Sequence, residues 1–284
     1  MDTLIWIMLA LLLLFSWLLL AWRRLHGREW QPYVPARARI EGGGVKRGLT
    51  PAEGAILLGR PLHVALTLVV FDLLRKGLVV QVEDDPLIVE VVEAFRTRGS
   101  GLSAQARGDQ RRRAAQALSK PMHIYEEAFI EILEANPGQP VHTVDYSIAI
   151  QPLLRYVAGR VGGYDLEDSR AYYRLIIDRA PREARSDGVL TFERQKVFDR
   201  NFGWVLLGDD FEAVLDQEDY SYVPVWWRTS DVLRPTSFAR WAQDVFAAMQ
   251  AAVPEDLVDA GLQREADGTT VTLMNDIARA TFRG

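Results

Sequence analysis

The sequence predicts an α+β protein, rich in helix and held to a membrane by one N-terminal span. Three observations predict this class. Residues 4–22 read LIWIMLALLLLFSWLLLAW, without a single charge. Helix-capping signals begin at Leu49 and give way to two short β-prone runs between residues 78 and 92. Beyond Pro121, apolar residues return mostly at helical spacing.

The first element is the span. Nineteen helical residues rise about 28 Å, close to the ~30 Å hydrocarbon core of a bilayer. Trp6 and Trp22 stand near its ends, where amphipathic rings favour the headgroup layer. A cleaved signal peptide would carry early basic residues and a shorter apolar core, whereas this chain opens Met1-Asp2. Arg23, Arg24 and Arg28 flank the C-terminal end and set the topology. The expectation is a single-pass protein of the inner or cell membrane. Its N-terminus lies outside, and residues 23–284 lie in the cytoplasm. The absence of cysteine excludes disulfides and thiolate metal sites.

Residues 23–47 contain Pro32, Pro35 and Gly42-Gly43-Gly44 without apolar periodicity, and read as a flexible basic tether. The net charge of −5 conceals a strong segregation. Residues 23–50 hold seven Lys/Arg against two Glu, and residues 96–120 hold seven against Asp109 alone. Residues 121–284 carry a net −11.

Thr50-Pro51-Ala52-Glu53 is a capping box with proline at the first helical position. It opens a short helix to Leu58. Pro61 opens a second helix to Lys76, and Gly77 stops it. Residues 78–82 and 87–92 flank Glu83-Asp84-Asp85-Pro86 and read as a hairpin. Helix, helix, hairpin is the order of a winged-helix-like module, placed at 48–95. Residues 96–120, with Arg111-Arg112-Arg113, read as a basic linker, either a solvated loop or a charged helix.

Residues 121–284 read as a helix-rich acidic domain with a small sheet. A second winged-helix-like unit would fit, because Pro51 and Tyr125 both open helices after a basic stretch. Ile124, Ala128, Ile132 and Leu133 make a helical stripe that ends at Asn136-Pro137-Gly138. Residues 148–161 and 166–177 give two more helices around Gly162-Gly163. Residues 192–211 have mixed spacing. Residues 220–227 are aromatic and strand-like. Residues 237–253 form an amphipathic helix with Phe238, Trp241, Val245, Phe246 and Met249 on one face. Residues 269–273 read as a last strand.

The stretch from Leu49-Thr-Pro-Ala-Glu, followed by Phe71-Asp-Leu-Leu-Arg-Lys-Gly-Leu-Val, resembles the cytoplasmic part of the DUF2207 family of predicted membrane proteins. His123-Ile-Tyr-Glu-Glu-Ala-Phe is similar to that family's next helix, and a second group of bacterial membrane proteins has a similar pattern. The resemblance covers residues 48–160. It implies a membrane-attached cytoplasmic domain and brings no catalytic residues.

Motifs for chemistry are missing from the chain. The four histidines lack helical metal spacing, and no HExxH, P-loop, Gly-x-Ser-x-Gly or GxGxxG occurs. His123 with Glu126 and Glu127 has ligand-like spacing, but glutamates in a first helical turn are also what the helix dipole favours. The acids between Asp209 and Asp219 lack the glycine and alternation of an EF-hand. No catalytic residue, metal ligand or cofactor is assigned.

Three functions follow in order. The first is a non-enzymatic, membrane-tethered protein-interaction module, contacting lipid through its N-terminal helix and a protein partner or a second copy of itself. Its candidate surface is Val69, Phe71, Trp226 and Trp227. Val69 and Phe71 lie off the stripe Leu66, Val70 and Leu73, so they contact the second block or a partner. The second is a membrane-anchored enzyme with a site in the aromatic and acidic C-terminal third. The third is a membrane-tethered transcription regulator. Nucleic acid is not the expected partner, since residues 49–95 hold three bases against seven acids and the second helix is largely apolar.

A cytoplasm-active reporter fused after Gly284 is expected to be active. Moving Arg23, Arg24 and Arg28 to the N-terminal side should weaken or invert that orientation.

Overall fold

The computed structural model describes residues 44–97, 101–184, 199, 201–215, 224–228 and 237–252. The candidate span at 4–22, its flank Arg23, Arg24 and Arg28, and the candidate strand at 269–273 lie outside these residues. Among the described residues no helix is long and apolar enough to cross a membrane. The architecture is mixed α+β, mainly helical, with one two-stranded sheet.

Helix α1 (Pro51–Leu57) starts on the predicted capping box. The Thr50 hydroxyl accepts from the Glu53 amide at 3.2 Å, and the Glu53 carboxylate accepts from the Thr50 amide at 3.1 Å. Helix α2 (Leu62–Lys76) ends in a Schellman motif at Gly77, where φ is +64°. The Leu78 amide donates to Leu73 and the Gly77 amide to Leu74. Strands β1 (Val79–Glu83) and β2 (Ile88–Val91) pair antiparallel, with Val79 opposite Val91 and a bulge between Gln81 and Glu83.

Helix α3 (Ala104–Ala117) occupies the stretch read as a linker, and it takes the charged-helix form. Helix α4 (Ile124–Ala135) follows. Its buried face is Tyr125, Phe129, Ile132 and Leu133, while Ile124 is exposed. The predicted stripe was therefore off by one position at its start. Helices α5 (Ser147–Val161) and α6 (Leu166–Ala184) flank Gly162-Gly163 as expected.

Residues 201–205 are helical, followed by short helices α7 (Phe211–Leu215) and α8 (Val225–Arg228), and by α9 (Phe238–Ala252). The strand expected at 220–227 is a helical turn in its described part. Its rings pack on α2 and α9, and that tertiary demand overrides β propensity.

Helix α2 organises the packing. Eleven of its residues are buried, including Leu66, Val69, Val70, Phe71, Leu73 and Leu74. It is covered by α1, β1, α4, α8 and α9. One continuous core runs from Leu49 to Met249, so the two blocks read from the sequence share their interior. Two glycines permit the closest approaches. A Cβ on Gly54 would lie 2.6 Å from the Trp204 ring, and one on Gly203 would lie 2.6 Å from the Pro51 ring.

Gly54→Ala should therefore destabilise. Helix propensity favours alanine by about 1 kcal/mol, but overpacking against a buried indole costs about 1–3 kcal/mol. Leu73→Ala should cost about 2–5 kcal/mol, the usual range for a core leucine. Chemical denaturation checks both.

Candidate functional site

Two helix starts meet inside the fold. The Thr50 and Tyr125 hydroxyls lie 3.2 Å apart, and behind them sit two carboxylates, Glu53 and Glu126, with no solvent exposure. Each carboxylate stands at the third position of its helix and accepts from the backbone amide three residues earlier. For Glu126 that donor is His123, at 2.8 Å. This is where a capping glutamate goes, and the dipole favours its charge. Burial is what the capping signals did not announce.

Each glutamate has its own cation. Arg160 Nη1 donates to Glu53 at 2.7 Å, and its Nη2 donates to the Gly48 carbonyl at 2.7 Å. Lys76 Nζ donates to Glu126 at 2.6 Å and lies 2.9 Å from Asp72. Arg75 closes this group through Asp72.

Burial pushes the Glu53 carboxyl above its usual range, with Arg160 opposing. Burial likewise raises Glu126 against the pull of Lys76. Asp72 is lowered, because Lys76 and Arg75 outweigh its own burial. Burial, then the charge of Lys76, brings His123 down to about 4, so its imidazole is neutral at pH 7. That ring stacks on Tyr125 at 5.3 Å and shares a hydrogen bond with the Tyr156 hydroxyl at 3.2 Å. Glu53 Oε1 accepts no hydrogen bond, and His123 Nδ1 stands 3.9 Å from it.

The chemistry of this cluster is that of a joint. Each carboxylate is held by its own helix and one cation. The ligand-like trio is dispersed. Glu126 turns to Lys76, Glu127 pairs with Arg112, and His123 turns to Tyr156. Among the described residues no three His, Cys, Asp or Glu side chains could hold a metal.

The interaction residues named from the sequence are brought together. Phe71 lies 5.8 Å from Trp226 and 5.4 Å from Trp241, and Trp227 lies 5.2 Å from Phe238. Val69, Phe71 and Trp227 are buried and Trp226 is half-buried. Of the two partners expected for Phe71, it meets the second block of its own chain.

Other features escaped the sequence reading. Arg111 is 1% exposed, with its Nε on the Phe95 carbonyl and its Nη2 on Glu134. Arg107 pairs with Glu131 at 2.9 Å and Arg112 with Glu127, so α3 lies on α4 through a ladder of ion pairs. The i, i+4, i+7 spacing of Glu127, Glu131 and Glu134 was the available signal. An open cleft of about 850 Å³ lies between the end of α1, helix α6 and residues 208–210. Arg60, Arg174, Arg182, Asp178, Asp209 and Asp210 give it mixed charge. Comparison with known proteins returns nothing: no family model, no curated protein and no solved structure matches the chain.

Arg160→Ala should strand the Glu53 carboxylate and cost about 3–5 kcal/mol. Adding Glu53→Gln should recover part of that loss. The native carboxyl holds its proton more tightly than the unfolded one. In Arg160→Ala, stability should therefore fall as pH rises above about 4.5, the ordinary value. His123 has the opposite sign. Its contribution is present above 6.5 and is lost as pH falls toward 4. Denaturation midpoints across pH check each slope.

Proposed function

We propose that the chain is a membrane-tethered interaction module without catalytic activity, single-pass, with its folded unit in the cytoplasm. One observation carries this reading. The first described residues are fastened along the folded unit at the point where the chain arrives from the apolar segment. The Lys46 amide donates to Ser169 Oγ at 2.9 Å, and the Leu49 amide donates to the Tyr173 hydroxyl at 2.8 Å. Gly44 accepts from the Asp165 amide at 3.3 Å, and Gly48 accepts from Arg160. Residues 44–49 are thus part of the folded unit. The engagement of both glutamates with helix starts and cations supports the non-enzymatic part of the reading.

The order α1, α2, β1, β2 supports a winged-helix-like module, in keeping with the resemblance to the DUF2207 family. The helix that would have to enter a DNA groove is α2, and it is buried among other elements. This argues for a protein rather than a nucleic-acid partner. Val69, Phe71, Trp226 and Trp227 serve the chain's own core, so the partner surface belongs elsewhere. The mixed-charge cleft is open to solvent, and its size suits a peptide segment with both charges.

A photo-crosslinking residue at Arg174, in the full-length chain in its native membranes, should give a discrete protein adduct. The same residue at Gln110, on the outer side of α3, should not. Absence of an adduct from cleft positions would count against the module reading. Micromolar binding of the full chain to duplex DNA with steep salt dependence would favour the regulator.

A further inference from the structure

We infer that the face on which the chain enters the folded unit is a second membrane contact, made to an anionic lipid surface through Lys46 and Arg47. This rests on the reading of residues 4–22 as an anchor and adds a contact made by the domain itself.

The two cations lean on tyrosine rings. Lys46 Nζ sits 4.7 Å over the Tyr164 ring, and Arg47 sits 5.7 Å over the Tyr172 ring. Neither forms an ion pair among the described residues, whereas Arg107, Arg111 and Arg112 are all bound to glutamates. Their backbone is pinned by Ser169, Tyr173 and Arg160, so both charges project from a fixed base. Tyr164 is 41% exposed and adds an amphipathic ring, the side chain that favours a headgroup layer.

The acids at this face are Asp165, Glu167 and Asp168. Glu167 is paired with Arg170, and Asp165 caps the first turn of α6 through the Asp168 amide. Their charge is thus partly met by a guanidinium and by the helix dipole.

Position selects lipid over an acidic protein. Twenty-one residues, 23–43, link this face to the apolar run, and they carry five further arginines. Fully extended they would span about 70 Å, so the link does not force contact. Charge attraction does, at about fivefold in partition per basic residue near an anionic surface.

The test uses the full-length chain, which has no cysteine, so one introduced thiol takes one probe. A fluorophore on Glu167→Cys is placed in bilayers of phosphatidylcholine, with or without phosphatidylserine, containing a headgroup-attached quencher. Quenching should appear with phosphatidylserine and fade at high salt. Lys46→Ala/Arg47→Ala should lower the ratio of docked to undocked domain about 25-fold, and Lys46→Arg should preserve it. Equal quenching in both lipids, or no effect of the double substitution, would overturn the inference. If the chain fails to enter bilayers, the anchor reading falls by itself. Partition of the same chain onto phosphatidylserine vesicles then decides: loss in the double variant sustains the contact, and no partition overturns it.

Discussion

Helix α2 has almost no side that water could face. Leu66, Val70 and Leu73 share one face, Val69 flanks it, Phe71 points to the opposite side, and all are buried. An amphipathic helix needs one covering surface, but this one needs several. The cover comes from α1 and the hairpin close in sequence, and from α4, α8 and α9 far from it. Each fully buried aliphatic or aromatic side chain contributes roughly 1.5–3 kcal/mol, so a naked flank on α2 would be costly. That requirement draws Trp226 and Trp241 back across the chain onto Phe71. It also explains why an aromatic group that resembles a docking surface in the sequence is spent internally.

Packing of that density leaves little room for charge, yet Glu53, Glu126, Lys76 and Arg111 are inside. Glu53 and Glu126 each have a local duty and a distant partner. Glu53 caps α1 and meets Arg160 from α5. Glu126 caps the start of α4 and meets Lys76 from α2. Burial disfavours the charged forms, and the partner offsets that cost. The arrangement ties helix register to tertiary position. A helix that slid by one residue would remove a carboxylate from its cation.

The two basic stretches look equivalent in composition, but their fates differ. Arg107, Arg111 and Arg112 of α3 pair with Glu131, Glu134 and Glu127, while Arg113 is exposed. Lys46 and Arg47 lean on tyrosine rings and form no ion pair among the described residues. Charge counted along the chain is therefore a poor guide to charge available at the surface.

Local signals were legible in the sequence wherever the physics is local. Thr50-Pro51-Ala52-Glu53 determines a helix start through bonds within four residues. Gly77 determines a helix stop because its left-handed φ is cheap only for glycine. The turn at 83–86 separates two β-prone runs, and α9 carries its period openly. Tertiary structure decided what depends on distant partners. It turned Val225-Trp226-Trp227 into a helical turn, with the Trp226 ring against Phe71 of α2 and the Trp227 ring against Phe238 of α9. It made Arg111 a core residue because Glu134 and the Phe95 carbonyl await it. It converted two ordinary capping glutamates into a buried joint, since Arg160 and Lys76 arrive from elements that no local pattern names. The physical reason is the range of the forces: caps and turns close within a few residues, whereas burial and ion pairing are settled by whichever parts of the chain come to share one interior.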